Sequence, residues 1–404
     1  MHILLIQQAF AALDEPGGTR HHEMARYLVA EGHRVTVIAS PVSYLTGEPG
    51  EQADQDASPV YGRGITIKRT YTYPAIHRSF AHRVFSFLSF MISSFFSGLR
   101  VRDVDLVWGT SPPIFQGLTA WALARIKKAP FLFEVRDLWP AFAIGVGVLR
   151  NRLLIYASEQ LERFLYRHAD LVVVNSPGFI DHVKTRGART IELVPNGADP
   201  TMFDPESDGA EFRATHSLED QFVALYAGAH GISNDLEVLL RAAESIRGRP
   251  DITFVLIGDG KEKSALEQAA SEMHLTNLRF LPPVTKFDIP EALAAADGCI
   301  AILRPIPLYR TVFPNKVFDY MAAGRPVVLA IDGVIRDLIE DAGAGIYVPP
   351  GDHEALAEAV CNLADNPDLR AQLGSNGRAC VESQYHRATL TARMAELMTG
   401  LIEK

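Results

Sequence analysis

Phe222-Val-Ala-Leu-Tyr-Ala-Gly228 is an apolar run that stops on a glycine, and with it the sequence starts its dominant pattern for the second time. Runs of the same kind follow at TFVLIGDG (253–260), LRFLPPV (278–284), CIAIL (299–303) and PVVLAI (326–331), with helix-length segments between them. Towards the N-terminus an earlier series reads HILLIQ (2–7), RVTVIAS (34–40), ITIKRTYT (65–72), DLVWGT (105–110), PFLFEVRD (130–137), LVVVNS (171–176) and TIELVPNG (190–197). Short β-branched runs alternating with helix-length segments predict parallel sheets covered by helices. The fold class is therefore α/β, as two doubly wound Rossmann-like units facing each other across a cleft. In such units ligands bind outside the carboxyl ends of the strands. Asp199–Gly209, rich in Pro, Asp and Gly, reads as the linker. A first domain then spans 1–198 and a second 199–387, with a helix at about 388–404 returning to cover the first.

A chain of 404 residues is too long for one hydrophobic core and suits two. Its 48% apolar and 22% charged residues are those of an ordinary globular protein. Cys299, Cys361 and Cys380 stand singly, without a CxxC or Cys/His spacing, which argues against a disulfide framework or structural zinc and for a cytoplasmic protein. The N-terminus opens on a strand-like run, not on a basic leader. Residues 84–99 are apolar but interrupted by serines and Gly98, short of the ~20 residues a spanning helix needs. Flanked by His82, Arg83, Arg100 and Arg102, they suit either a half-buried helix or peripheral contact with the cytoplasmic face of the inner membrane. The net charge of −9 is uneven: residues 1–200 hold 21 Lys+Arg against 18 Asp+Glu, and the rest 18 against 30. The mildly basic first half favours an anionic acceptor or surface. No basic cluster interleaved with aromatics points to nucleic acid.

Four constellations carry chemistry. Gly17-Gly18 precede a helix that Arg20 opens, and paired glycines there let backbone N–H groups approach a phosphate, or simply make a turn. Glu134-Val-Arg136-Asp137-Leu-Trp139 closes an apolar strand; such charges either line a cleft or pair with each other, Arg136 with Asp137 or Glu134. Gly228 and Gly231 follow a strand, as does Gly258-Asp-Gly-Lys261, whose lysine could reach a phosphate. Most informative is Pro314-Asn315-Lys316-Val-Phe-Asp319-Tyr-Met-Ala-Ala-Gly324. Lys316 and Asp319, three apart, share a helix face: a cation for a diphosphate and a carboxylate for a ribose, or an ordinary surface ion pair. The loop from Arg304 to Arg310 leads into this helix, and Val284 ends a neighbouring strand.

HHEMARYLVAEGHRVTVIAS (21–40), VNSPGF (174–179), VPNGADPTMFDP (194–205), FDYMAAGRPVV (318–328) and VPPGDHEALAEAVCNLADNPDLRAQLGSNGR (348–378) occur in an order that resembles the retaining glycosyltransferases of the GT-B fold, family four. The resemblance covers nearly the whole chain. It implies a nucleotide-sugar donor, with UDP expected, and Asp319 in place of the glutamate that holds the ribose. Thr311 stands where the family has a second glutamate facing the donor sugar, and Ala229 and Asn234 occupy the region of its Arg/Lys phosphate clamp. Lys316 is then the leading substitute, helped by Lys261 and Arg304. EVRDLWP, the Gly-Gly loop with Arg20, and PNKVFDYMAAG look most like a bacterial subgroup that adds N-acetylfucosamine-type sugars during O-antigen, capsule or exopolysaccharide assembly.

The expected reaction passes an N-acetylated hexosamine or deoxyhexosamine from UDP to a glycan or polyprenyl-diphosphate-linked glycan. Gly17, Gly18, Gly228, Gly231, Lys261, Val284, Arg304, Thr311, Asn315, Lys316 and Asp319 are the donor-side candidates. Arg20, Glu134, Arg136 and Trp139 are the acceptor-side candidates, and Asp137 and Lys316 the catalytic pair. No cofactor is expected, and with no DxD-like carboxylate pair in place the reaction is expected to be metal-independent. Rival readings are a nucleotide-sugar 2-epimerase of the same fold, a silent partner subunit, and, more distantly, a nicotinamide oxidoreductase, which the missing GxGxxG disfavours.

Overall fold

The structure is a computed structural model that describes residues 1–15, 17–42, 64–74 and 80–403. It divides into two compact units. The first contains Met1–Ala12, Gly18–Pro195 and the chain from Arg387 onward; the second contains Leu13–Gly17 and Asn196–His386.

The first unit is built on seven strands: β1 His2–Ile6, β2 Arg34–Ala39, β3 Ile65–Arg69, β4 Leu106–Ser111, β5 Phe131–Val135, β6 Leu171–Val174 and β7 Ile191–Leu193. They form one parallel sheet in the order β3-β2-β1-β4-β5-β6-β7, with Ile3 opposite both Val35 and Leu106. The order reverses beside β1, so the loop after β1 lies at a switch point, where an open α/β sheet offers its crevice. Arg387–Ile402 forms a helix that belongs to this unit. Leu390, Met394 and Met398 enter the core with Ile3, Val35 and Ile67, and Arg387 Nε meets Glu23 Oε2 at 3.0 Å in a buried ion pair.

The second unit has six strands: β8 Phe222–Ala227, β9 Ile252–Ile257, β10 Leu278–Leu281, β11 Gly298–Ile302, β12 Val327–Ala330 and β13 Gly345–Tyr347. Its parallel order is β10-β9-β8-β11-β12-β13, with the switch beside β8. Alternate residues enter two cores: Val223, Leu225, Val255 and Cys299 one, Phe222, Ala224, Phe254 and Ile300 the other. Both faces are covered, so these strands read as continuous apolar runs and were visible in the sequence. β13 was not, because its three half-buried residues carry no such run.

The Asp199–Gly209 segment is not a free linker. Arg325 Nη2 donates to the Ser207 carbonyl at 2.8 Å, Arg378 Nη1 to that of Phe203 at 2.8 Å, and Gly209 (φ +61°) lies against the Ala295 backbone. The segment is part of the second unit, and its Asp and Pro residues make Asx turns and a short 3₁₀ turn at Pro200–Met202.

Candidate donor and acceptor sites

In the second unit the site grows from the end of β8. Gly228 (φ +153°) turns the chain there, and Gly258 (φ +147°) turns it after β9. A Cβ on Gly258 would lie 1.9 Å from the Gly228 carbonyl oxygen, so only glycine lets the two loops touch backbone to backbone. The His230 N–H donates to Asp259 O at 2.8 Å and the Glu262 N–H to His230 O at 2.9 Å, which locks them together. Gly231 has φ −120° and open space at its Cβ position, so nothing in this geometry demands glycine there.

The helix Asn315–Ala322 is pinned to the same strand end. The Ala227 N–H donates to the Tyr320 hydroxyl at 2.9 Å, and that hydroxyl donates to Ala227 O at 3.2 Å. This puts the Lys316 Nζ 3.9 Å from the centre of the Tyr226 ring and 2.6 Å from where a Gly228 Cβ would be. The ammonium is out of solvent and donates no hydrogen bond; burial lowers its pKa to about 7. Asn315 Oδ1 is buried without a partner, and so are both ring nitrogens of His230, whose pKa burial lowers to about 4, with Lys263 and Lys316 adding to the shift. Each buried polar group left unpaired costs about 1–3 kcal/mol. Their concentration beside two glycine loops is the mark of a polar ligand site.

Lys316 and Asp319 do not pair, although they are three apart on one helix. Asp319 Oδ1 instead meets Lys286 Nζ at 2.7 Å, with both side chains largely buried. Lys286 also lies over the Phe203 ring, 5.6 Å from its centre, and its N–H donates to Leu13 O at 3.0 Å. Sequence reasoning missed Lys286. It is a lone lysine 33 residues from its partner, and no local spacing marks it.

The other donor-side candidates are scattered. Lys261 is exposed, and it is Lys263 that turns inward, donating to Gly258 O at 2.9 Å and Leu281 O at 3.3 Å. The Arg304 Nε lies 3.6 Å from Asp235 Oδ1 and remains 43% exposed, so this cation is only loosely held. The Thr311 hydroxyl donates to Leu308 O at 2.7 Å within a 3₁₀ turn, and Val284 packs on the core.

In the first unit Arg20 and Glu134 are structural. Arg20 donates Nε to Glu134 Oε1 at 3.0 Å and its other nitrogens to the Val194 and Pro195 carbonyls at 2.8 Å, with no exposure left for an acceptor. His21 Nε2 meets Glu134 Oε2 at 2.5 Å. Burial lowers the His21 pKa to about 4, so a neutral imidazole donates here. Burial opposes ionisation of Glu134, yet the hydrogen bond from His21 and the charge of Arg20 together hold its pKa below the carboxylate range. Neither expected partner of Arg136 is taken up: Glu134 is committed elsewhere, and Arg136 forms no ion pair with Asp137. Burial pushes Asp137 up to about 7, against the pull of Arg136. Trp139 packs on Phe115, ring centres 5.6 Å apart. Gly17 and Gly18 are exposed; Pro16 between them and Glu15 lies outside the described residues.

Two family models match the chain in tandem: "Glycosyl transferase 4-like domain" over residues 17–197 and "Glycosyl transferases group 1" over 221–366. The chain is a GT-B glycosyltransferase. Among its relatives is WcaI of Escherichia coli (strain K12), provisionally assigned as a colanic acid biosynthesis glycosyl transferase. It is 24% identical over 84% of this chain and 86% of its own length. Sucrose-phosphate synthase from Thermosynechococcus elongatus has a similar fold, with a TM-score of 0.80 at 20% identity over 100% of this chain and 99% of that one. HepE of Anabaena, solved in complex with UDP-glucose, gives 0.73 at 18% identity over 99% and 100%. In this glycosyltransferase the loops after β1 and β8 occupy the switch points of their sheets.

Proposed function

We propose that this glycosyltransferase moves a sugar from a UDP-sugar to a glycan or lipid-linked glycan, with retention of configuration, in the assembly of a bacterial surface polysaccharide. The observation that carries the reading is the buried, unpartnered Lys316 ammonium beneath the Gly228 loop, one helical turn from Asp319. Bound UDP-sugar gives Lys316 its missing partner in the diphosphate, and Asp319 accepts from the ribose hydroxyls. As the bond between the anomeric carbon and the phosphate oxygen breaks, its electron pair goes to the diphosphate. The acceptor oxygen forms the new bond on the same face, and its proton passes to the departing phosphate. A cation already aimed at the developing charge favours that step without reorganisation. Asp137, with a pKa near neutrality, contacts the transferring sugar or the acceptor.

The UDP assignment draws support from the UDP-glucose complex of HepE, and the polysaccharide assignment from WcaI. Retention and metal independence rest on the resemblance to family four. An N-acetylated hexosamine or deoxyhexosamine donor rests on EVRDLWP and PNKVFDYMAAG; Arg20, being internal, no longer contributes to that argument. A panel of UDP- and GDP-sugars tested for thermal stabilisation picks out the donor, since a ligand raises apparent stability by binding the folded state. The expected result is a UDP-sugar that stabilises the protein and releases UDP in step with glycan formation. UDP release with a free epimerised sugar and no acceptor would overturn the transferase reading in favour of an epimerase.

Peripheral membrane contact belongs to the same proposal. Among the described residues no helix is long and apolar enough to cross a membrane. The helix Phe80–Leu99, however, presents Phe85, Ile92 and Phe96 more than half exposed, spaced along one face, with Arg100 beyond its end. Replacing the three by serine is expected to lower co-sedimentation with anionic vesicles about tenfold. Because they are exposed, the melting temperature should stay unchanged. Equal sedimentation of variant and wild type would remove this helix as the contact.

A further inference from the structure

Lys286 grips the carboxylate of Asp319 from inside the protein. Its Nζ donates to Asp319 Oδ1 at 2.7 Å. The lysine side chain is 7% exposed and the carboxylate 20%, so the cation is turned inward and the acid outward. A carboxylate offers roughly four lone-pair positions, so one bond to Oδ1 orients the group without exhausting it.

The turn that carries Lys286 is itself fixed. The Thr285 hydroxyl donates to Asp288 Oδ2 at 2.6 Å, and the Asp288 and Ile289 amides donate to Thr285 O at 3.2 and 3.1 Å. The Lys286 amide donates to Leu13 O at 3.0 Å, and the ammonium lies 5.6 Å from the centre of the buried Phe203 ring. Phe203 is held in turn, because its carbonyl accepts from Arg378 Nη1 at 2.8 Å. A lysine gives up much rotamer freedom when it is frozen, and isolated surface ion pairs rarely offset that loss. Here backbone, ring and carboxylate together hold one lysine in place.

What this order supplies is direction. The terminal torsion of an aspartate is broad, so an unanchored carboxylate turns easily. An acid held in one orientation can accept from both ribose hydroxyls. Without the 2′-hydroxyl, part of a largely buried acid is left unmatched, whereas an acid free to turn loses less.

We propose that Lys286 is a positioning residue that aims Asp319 at the ribose and so makes the donor site select ribonucleotides over 2′-deoxyribonucleotides. The proposal rests on Asp319 as the ribose acceptor. Lys286, being the inner member of the pair, acts through that acid and does not itself touch the nucleotide.

The test compares UDP with 2′-deoxy-UDP, and GDP with 2′-deoxy-GDP, by isothermal titration of the full-length protein. Wild type, Lys286→Met, Lys286→Arg, Asp319→Ala and Asp319→Ala/Lys286→Met are measured. The ratio of the two affinities is the readout, because a smaller folded fraction lowers both alike and cancels. The wild type should prefer UDP by about 30-fold. Lys286→Met should reduce that preference to about threefold, mainly by weakening UDP. Lys286→Arg keeps a cation beside the carboxylate and should fall between the two. Asp319→Ala should show the low ratio, and adding Lys286→Met should lower it no further.

Four results overturn the proposal. One is equal binding of UDP and 2′-deoxy-UDP by the wild type. Another is equal weakening of both in Lys286→Met, the mark of a lysine that supports only the fold. The third is a preserved ratio in Asp319→Ala. The last is a further fall when Lys286→Met is added to Asp319→Ala, which would put the ammonium on the ribose itself. A wild type that binds GDP in place of UDP, with its ratio still tied to Lys286, rejects the UDP reading and keeps the positioning role. Binding of no nucleotide by the wild type rejects both.

Discussion

Lys316→Met should lower affinity for UDP and UDP-sugars by about 100-fold while leaving the ligand-free protein at least as stable as the wild type. The asymmetry follows from burial without a partner. In the empty protein the ammonium contacts the Tyr226 ring face but makes no hydrogen bond, so methionine of similar length relieves a desolvated charge. In the complex the same charge meets a diphosphate in a site shielded from water. Burial brings the folded-state pKa from 10.5 down to about 7, so the unfolded chain binds more protons between those values. The contribution of Lys316 to stability therefore rises with pH above about 7, its penalty being fully present below that. UDP selects the protonated lysine, so wild-type affinity should fall as pH rises past 7, by up to about tenfold per unit. Isothermal titration across pH 6 to 9 (about the range over which this lysine changes charge) should find that slope in the wild type and none in Lys316→Met. A wild-type affinity independent of pH would remove Lys316 from the diphosphate.

Asp319→Ala should impair both properties together. It removes the proposed ribose acceptor and strips Lys286 of the carboxylate 2.7 Å from its Nζ. Removing one partner of a buried pair typically costs 3–5 kcal/mol; Asp319 retains 20% side-chain exposure, so about 2 kcal/mol is expected. Asp319→Ala/Lys286→Met should regain most of that stability, because the ammonium goes together with the carboxylate that faced it, yet bind UDP no better than the single variant. Chemical denaturation and UDP titration on the four proteins of the cycle read the two effects separately. Normal UDP affinity in the double variant would leave Asp319 with a structural role only.

These expectations mark where the sequence was legible. Strands buried on both faces must be apolar throughout, so β8, β9, β11 and β12 stand out as runs. The glycines at their ends were visible too, but not their purposes. Gly258 is required by the Gly228 carbonyl, 30 residues away in the chain, whereas Gly231 meets no such demand. Lys316 and Asp319 were recognised as one helix face, and helical geometry does place them there. Which partner each then meets was not local information: Lys316 turns beneath Gly228 and Asp319 takes Lys286.

The charged strand end of β5 makes the same point. Glu134, Arg136 and Asp137 are too costly to bury without purpose, and that much follows from residue type. Only the fold separates them: Glu134 goes inward to Arg20 and His21, while Arg136 is left unmatched beside Gly18. The sequence by itself determined the α/β architecture, the two series of strands and the order of the glycosyltransferase motifs, because periodicity and turn chemistry act between near neighbours. The tertiary structure decided which charges are paired and which wait for a ligand. Pairing depends on which distant side chains share a few ångströms of desolvated space, and no spacing along the chain encodes that.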